Sequence, residues 1–225
     1  NKMFAVFDGH GGDACSDYIA DRLPAVLKTE LVRNKDIKEA VTGVFTSMDA
    51  RFMGSGFAAK SAVLGSCGII SFIRNDIVYT ACVGDSRSVI GRRKDGKVEP
   101  FRLNEDQNSK NPTERELLSK RTTDPHPFRA APDDNSDGDR VGGVIMVTRA
   151  FGDAAFKKKE LSYPPFDQHV PYLTVEPVIT ENPLQEGDEF MVVSSDGLYD
   201  FLNVEQVVDF VSEYIEASKG NEEKL

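Results

Sequence analysis

The sequence predicts an α+β layered sandwich, in which helices flank hairpin-linked strands. Short β-rich runs occur in pairs separated by turn residues, and amphipathic segments with helical spacing lie before and after them. The length of 225 residues is that of one large domain with room for a packed core. We therefore expect a single domain over residues 1–225.

The first third of the chain predicts one strand and two helices. Residues 3–7 form a short apolar run that stops at an Asp-Gly pair, as a buried strand does when it ends in a turn. Apolar residues then recur at helical spacing between residues 18 and 31, and we expect Pro24 to kink or divide this helix. Asp36 and Glu39 have the spacing of a capping box, which predicts the start of a second helix.

The middle of the chain predicts an antiparallel meander. Four β-rich runs follow one another, at residues 65–73, 77–83, 88–92 and 98–103. Short polar links of the kind found in hairpins join the first run to the second and the third to the fourth. Asn111-Pro112 then predicts a helix start, and the polar segment 121–140 predicts a loop.

The last third predicts two strands and a helix. Residues 144–147 and 190–193 are short apolar runs of strand type. Asn203 is expected to cap the final helix. The residues expected on the buried face of this helix are Val207, Val208, Phe210, Val211, Tyr214 and Ile215.

Charge and composition exclude several classes of partner. The 37 acidic and 27 basic side chains give a net charge of −10, which argues against nucleic acid or an anionic membrane surface. No apolar run approaches the ~18 residues that cross a bilayer. Three cysteines are too few, and odd in number, for a disulfide scaffold. We therefore expect an intracellular monomer, in the cytoplasm or nucleus, with no nucleic-acid or membrane partner.

The densest functional signal is the run Asp8-Gly9-His10-Gly11-Gly12, which follows the first apolar strand. A lone Asp-Gly pair is usually only a turn, because both residues favour turn conformations. The pattern recurs, however, where another apolar strand ends at Asp196-Gly197. Two carboxylates at strand tips can hold Mg²⁺ or Mn²⁺, and a glycine after the acid leaves its own carbonyl unobstructed as another ligand. Zinc is disfavoured, because the three histidines and three cysteines lack zinc-site spacing.

Four motifs in a fixed order carry a resemblance to a known family. They are Val6-Phe7-Asp8-Gly9-His10-Gly11-Gly12, Val83-Gly84-Asp85-Ser86-Arg87, Thr148-Arg149-Ala150-Phe151-Gly152-Asp153 and Ser194-Ser195-Asp196-Gly197-Leu198-Tyr199-Asp200. With them the chain resembles the type 2C, metal-dependent (PPM) protein phosphatases over nearly its whole length. The resemblance implies a four-layer αββα sandwich of two mainly antiparallel sheets flanked by helices, with the metal centre at one end.

The resemblance also implies an activity and a set of site residues. It implies hydrolysis of phosphoserine and phosphothreonine in phosphoprotein substrates, by water activated at a centre of two Mg²⁺ or Mn²⁺ ions. By resemblance, Asp8 bridges the two ions, the Gly9 carbonyl and Asp196 are further ligands, and His10 is the general acid. The resemblance also implies a third ion. Its ligands would be Asp106, Asp196 and Asp200.

Purely structural interpretations of some of these residues stay open. An isolated histidine is more often a hydrogen-bonded structural residue than a catalytic one. Residues 84–87 are interpreted as a turn between two strands, and thus as architecture. Arg149 and Asp153 are expected to form a buried ion pair that supports the site rather than taking part in it.

The alternative function is that of a catalytically inactive pseudophosphatase, which serves as a scaffold or regulator. The family's upstream arginine and glutamate would precede Asn1, and its closing Asp-Asn motif would follow Leu225. We therefore expect residues 1–225 to be one phosphatase catalytic domain that lacks its N-terminal and C-terminal segments. The retained acids favour the enzyme, because a scaffold has no need for several unneutralised carboxylates in one cleft.

Overall fold

A computed structural model of the chain describes residues 2–57, 61–130 and 139–218. In these ranges, two antiparallel sheets pack face to face, and helices cover the outer side of each. The predicted α+β class is thereby confirmed.

The described helices are α1 (Ala14–Arg33), α2 (Ile37–Met53), α3 (Pro112–Arg121) and α4 (Val204–Ser218). None of these helices is both long and apolar enough to cross a bilayer. The strands are β1 (Met3–His10), β2 (Gly65–Arg74), β3 (Ile77–Val83), β4 (Arg87–Lys94), β5 (Lys97–Arg102), β6 (Phe128–Ala130), β7 (Asp139–Val141), β8 (Phe151–Gly152), β9 (Val178–Pro183) and β10 (Asp188–Ser194). Short 3-10 helices lie at Ala154–Phe156, Lys159–Leu161, Phe166–Gln168 and Asp196–Leu198.

The two main sheets have simple antiparallel orders. The first runs β1-β2-β3-β9, with the short β8 paired to the start of β2. The second runs β10-β4-β5, and β6 and β7 form a separate ladder. In the first sheet the register places Asp8 opposite Cys67 and His10 opposite Gly65. The end of β1 that carries Asp8 and His10 therefore lies beside the start of β2.

Apolar contacts define the four layers. α1 and α2 pack together on one face of the first sheet. Val78 of the first sheet meets Ile90 of the second between the two sheets. Val208 of α4 packs against Val89, on the other face of the second sheet. The order of layers is therefore αββα, as the resemblance implies.

Both predicted hairpins are present, but they do not form one meander. The β2–β3 hairpin turns through Asn75 and Asp76 and the β4–β5 hairpin through Asp95 and Gly96, all with positive φ. β3 and β4, however, belong to different sheets. The chain changes sheets at Gly84, whose φ of 103° favours glycine and where a Cβ atom would overlap the Cys67 side chain.

The two predicted helices of the first third are confirmed, but Pro24 does not divide the first of them. A kink at Pro24 stays a prediction. α1 continues through Pro24 without division, because Leu23 and Leu27 on either side are completely buried and hold the segment in place. Asp36 caps α2 as predicted and accepts from the Glu39 backbone N–H at 3.0 Å. The Glu39 side chain does not complete the capping box, since it accepts from the Asn34 side chain instead.

The final helix buries less than predicted. Asn203 caps α4 by accepting from the Gln206 backbone N–H at 2.8 Å. Val207 and Val208 are buried, whereas Phe210 and Tyr214 are 58% and 56% exposed. The three strands of the second sheet cover one side of α4, which is why the predicted apolar face is only partly enclosed.

Residues 144–147, predicted as a strand, make isolated bridges instead. Val147 pairs with Asn108, and Ile145 pairs with Val141, because Gly142 and Gly143 turn the chain back with positive φ. The segment 121–140, predicted as a loop, contributes β6 and part of β7. Its residues 131–138 lie outside the described ranges.

A buried ion pair joins α3 to the segment before β8. Arg149 pairs with Glu114, so the expected pair between Arg149 and Asp153 is wrong. The Arg149 guanidinium donates to both carboxylate oxygens of Glu114 at 2.8–3.1 Å, and the Thr148 hydroxyl donates at 2.7 Å. Burial alone would raise the pKa of Glu114, but these hydrogen bonds and the charges of Arg149 and Arg121 lower it.

We expect Glu114→Gln to destabilise the fold by about 3–5 kcal/mol, because it leaves the Arg149 charge buried without its partner. The lowered folded-state pKa of Glu114 means that its contribution is complete above the unfolded value of about 4.3. The contribution is lost as the pH falls through the folded-state pKa. Urea unfolding at pH 7 and at pH 3 should therefore show a difference between wild type and variant that shrinks at low pH.

The matched control is Glu116→Gln in the same helix. Glu116 is exposed and pairs with Lys120 at 2.6 Å, so its loss should change the free energy of unfolding little. Equal destabilisation by the two variants would contradict the role of the buried pair.

Candidate active site

The ends of β1 and β10 bring the two Asp-Gly motifs into one cavity. Asp8 lies in β1 of the first sheet, and Asp196 follows β10 of the second at the start of a 3-10 helix. Both carboxylates line a cavity of about 590 Å³, together with His10, Asp85 and Asp153. The packing of the two sheets therefore gathers groups that are far apart in the sequence.

Asp8 lies in an acidic environment. Burial raises its pKa, and a hydrogen bond with the Asp196 carboxyl and the negative charges of Asp196 and Asp85 raise it further, while His10 opposes them. A shared proton or a bound cation relieves this kind of repulsion between carboxylates. The cavity therefore has the electrostatic character of a cation site.

Asp85 belongs to the same cavity, and the interpretation of residues 84–87 as architecture missed it. Burial raises its pKa, followed by the charge of Asp196. The Asn108 amide donates to the Asp85 carboxylate at 3.4 Å and the Cys67 thiol donates to it at 3.5 Å. A signal was present in the sequence, because Asp85 stands beside a glycine at the end of an apolar strand, as Asp8 and Asp196 do.

His10 forms a pair with Asp153. The Nε2 atom of His10 is 2.8 Å from the Oδ2 atom of Asp153, and the two side chains are 31% and 1% exposed. The Asp153 backbone has a φ of 50°, and its N–H donates to the Leu64 carbonyl at 2.8 Å. Gly65 makes room for the pair, since a Cβ atom there would overlap both Asp153 Oδ2 and His10 Nε2.

The surroundings of His10 favour its protonated form. Burial lowers the pKa of His10, but the hydrogen bond and charge of Asp153 and the charges of Asp8 and Asp85 together raise it above the usual value. A histidine whose protonated form is favoured in this way is suited to donate a proton.

Asp106 and Asp200 lie outside this cavity. Asp106 accepts from Arg87 at 3.0 and 2.7 Å and from Arg102 at 2.8 Å, so two guanidinium groups neutralise it. Asp200 is exposed, and its backbone N–H donates to the Asp196 carbonyl at 3.0 Å. Their role in holding a third ion stays a prediction.

The donors in the cavity fit a hydrated Mg²⁺ or Mn²⁺ ion. In the part of the chain that the structure describes, no three His, Cys, Asp or Glu side chains converge closely enough to hold a metal by themselves. Asp8 and Asp196 nevertheless form an interacting pair of carboxylates, and the exposed Gly9 adds a backbone carbonyl next to Asp8. Mg²⁺ commonly takes one or two carboxylates and completes its shell with water and phosphate oxygens.

Comparison with known sequences identifies the family. The family model described as Protein phosphatase 2C matches residues 1–224, and the chain belongs to the protein phosphatase 2C family. It is 34% identical to Probable protein phosphatase 2C 67 of Arabidopsis thaliana, over 92% of this chain and 59% of that protein. It is 31% identical to Protein phosphatase 2C homolog 2 of Schizosaccharomyces pombe, over 98% of this chain and 55% of that protein.

Solved structures share the fold. The chain aligns with the crystal structure of serine-threonine phosphatase 2C from Toxoplasma gondii with a TM-score of 0.74 and 17% identity, over 96% of this chain and 74% of that chain. A sex determining protein of C. elegans gives a TM-score of 0.73 and 21% identity, over 94% and 47% of the two chains. The predicted family is thus confirmed, and the chain spans 55–59% of the length of the two curated relatives above.

We expect Asp153→Asn to lower the pKa of His10, because the variant removes the charge that favours the imidazolium. Asparagine tolerates the positive φ at position 153, so the backbone should be kept. Titration of the histidine C2 protons by NMR measures the shift, with His126 and His169 as internal references. Asp17→Asn, at an exposed acid of α1, is the control, and an unchanged His10 titration in Asp153→Asn would refute the pairing.

Proposed function

We propose that this chain hydrolyses phosphoserine and phosphothreonine in proteins at a binuclear Mg²⁺ or Mn²⁺ centre. The observation that carries the proposal is that Asp8, Asp85 and Asp196 line one cavity, which also contains the His10–Asp153 pair. Membership of the protein phosphatase 2C family and the names of the relatives support this reaction class. We also propose that the protein works as an intracellular monomer.

The metal site is assigned to the acidic part of the cavity. Asp8, Asp196 and the Gly9 carbonyl would hold the ions, and Asp85 is a further acid within reach of the same charge cluster. The bound ions would supply an activated water and neutralise the phosphoryl oxygens, so that no protein nucleophile is needed.

We assign His10 the role of general acid, which donates a proton to the leaving alkoxide. Protonated His10 carries an N–H on both ring nitrogens, and the Nε2–H donates to Asp153. The buried Asp153 carboxylate orients the ring and stabilises its positive charge. The Nδ1–H is then the proton that can be transferred to the leaving oxygen.

Asp196→Asn in the full-length protein should abolish phosphatase activity together with metal-dependent thermal stabilisation. Removing a ligand removes the binding free energy that favours the folded state. Turnover of a phosphopeptide and the Tm measured across a manganese titration report the two losses.

The matched control is Asp209→Asn, which neutralises an exposed acid of α4 and should change neither measurement. A manganese titration that is unchanged in Asp196→Asn would refute the metal assignment. Normal metal stabilisation of the wild type without any turnover would favour the pseudophosphatase.

His10→Gln should slow hydrolysis of an alkyl phosphate by about 10²–10⁴-fold, the usual contribution of general acid catalysis. An aryl phosphate has a better leaving group, which needs less protonation, so its hydrolysis should slow much less. Steady-state kinetics on the two substrates measure the difference, and His126→Gln, at an exposed histidine, is the control. Equal losses on both substrates would indicate a positioning role instead.

A further inference from the structure

The cavity that holds the acids also has an apolar part. We name it the apolar wall and define it as Val63, Val144, Met146 and Tyr163, all of which line the same cavity as Asp8 and Asp196. Val63, Val144 and Tyr163 are 38%, 48% and 41% exposed, so this surface is open to a ligand. Exposed apolar side chains that share a cavity with charged groups are typical of binding sites rather than of ordinary surface.

The apolar wall has a rigid support. Phe166 is 5% exposed, and its ring fills the space where Gly142 lacks a Cβ atom, two residues before Val144. The same ring packs edge-on against Tyr163, with 5.5 Å between the ring centroids. One buried phenylalanine therefore supports both the turn that carries Val144 and the Tyr163 side chain.

Backbone hydrogen bonds fix the turn itself. The Val144 N–H donates to the Val141 carbonyl at 3.0 Å, and the Val141 N–H donates to the Ile145 carbonyl at 2.8 Å. Val141 ends β7 and is completely buried. A surface built in this way exists before the ligand arrives, which lowers the entropic cost of binding.

A ligand that fills the whole cavity has to combine an anionic group with an apolar one. The phosphate of a phosphoserine or phosphothreonine suits the acidic part once cations are bound there, but neither serine nor threonine has enough apolar surface to cover the wall. A neighbouring side chain of the same peptide can do so. In an extended peptide, side chains two residues apart lie about 7 Å apart on one face, and adjacent residues lie closer along the chain.

We propose that the apolar wall selects phosphoprotein substrates with a large apolar residue within two positions of the phosphorylated residue. This inference rests on the proposed function. It means that contacts with the apolar wall determine which phosphorylated sites the enzyme prefers. Partial burial of one leucine side chain should raise kcat/KM about tenfold over serine at the same position.

The test compares phosphothreonine peptides that carry leucine or serine at one of the four positions nearest the phosphothreonine and are otherwise identical. The full-length enzyme should prefer leucine about tenfold in kcat/KM at one or more of these positions. A leucine-to-serine ratio near one at all four positions would overturn the inference.

Variants of the apolar wall test whether it causes the preference for leucine. Val144→Ser removes apolar surface from the wall and should therefore bring the leucine-to-serine ratio down towards one. The ratio compares two peptides on the same variant, so it cancels any general loss of turnover. Tyr163→Ser gives an independent check if Val144→Ser does not fold. Val178→Ser changes a valine of β9 that is 37% exposed outside this cavity, and it should keep the wild-type ratio.

The outcomes separate this inference from the proposed function. Metal-dependent turnover of p-nitrophenyl phosphate, which has no flanking residues, tests the reaction by itself. No turnover of that substrate or of any peptide would refute the proposed function. Turnover with a ratio that stays at the wild-type value in both Val144→Ser and Tyr163→Ser would refute the role of the apolar wall alone.

Discussion

The site depends on the face-to-face packing of the two sheets, because its central acids come from different sheets. Asp8 lies in β1 of the first sheet, and Asp196 follows β10 of the second. A buried polar link crosses between the sheets, where the Ser71 hydroxyl donates to the Ser88 hydroxyl at 3.0 Å. Apolar contacts in the same layer are not directional, whereas this hydrogen bond is. The link therefore helps to fix how the two strand ends face each other.

The same packing concentrates negative charge in a chain that already has a net charge of −10. Asp8 and Asp85 both have raised pKa values, with burial as the largest cause and the charge of Asp196 adding to it in each case. A divalent cation between these groups would relieve the repulsion and also tie the tips of the two sheets together. Metal binding at the proposed site would therefore be coupled to folding through the same carboxylates that the proposed reaction uses.

Features that depend on nearby residues could be predicted from the sequence, and features that depend on distant contacts could not. The caps at Asp36 and Asn203 are decided within three residues along the chain. The change of sheet at Gly84 has no local signal, because it lies where a Cβ atom would overlap the Cys67 side chain of another strand. Likewise, no local pattern pairs Arg149 with a glutamate 35 residues away. The acids at the strand tips were recognisable because a glycine beside an acid at a strand end is a local pattern.

Contacts with α2 help to fix the geometry of the His10–Asp153 pair. Asp49 of α2 is buried, and its carboxylate accepts from the Gly152 backbone N–H at 2.7 Å. The Lys157 ammonium bridges Asp49, at 2.9 Å, and the Ala150 carbonyl, at 2.6 Å. These contacts hold the chain on both sides of Asp153 and support its left-handed backbone conformation, which an aspartate adopts only at some cost. The orientation of the proposed general acid therefore depends on a buried lysine–aspartate pair under α2 as well as on the strand that carries His10.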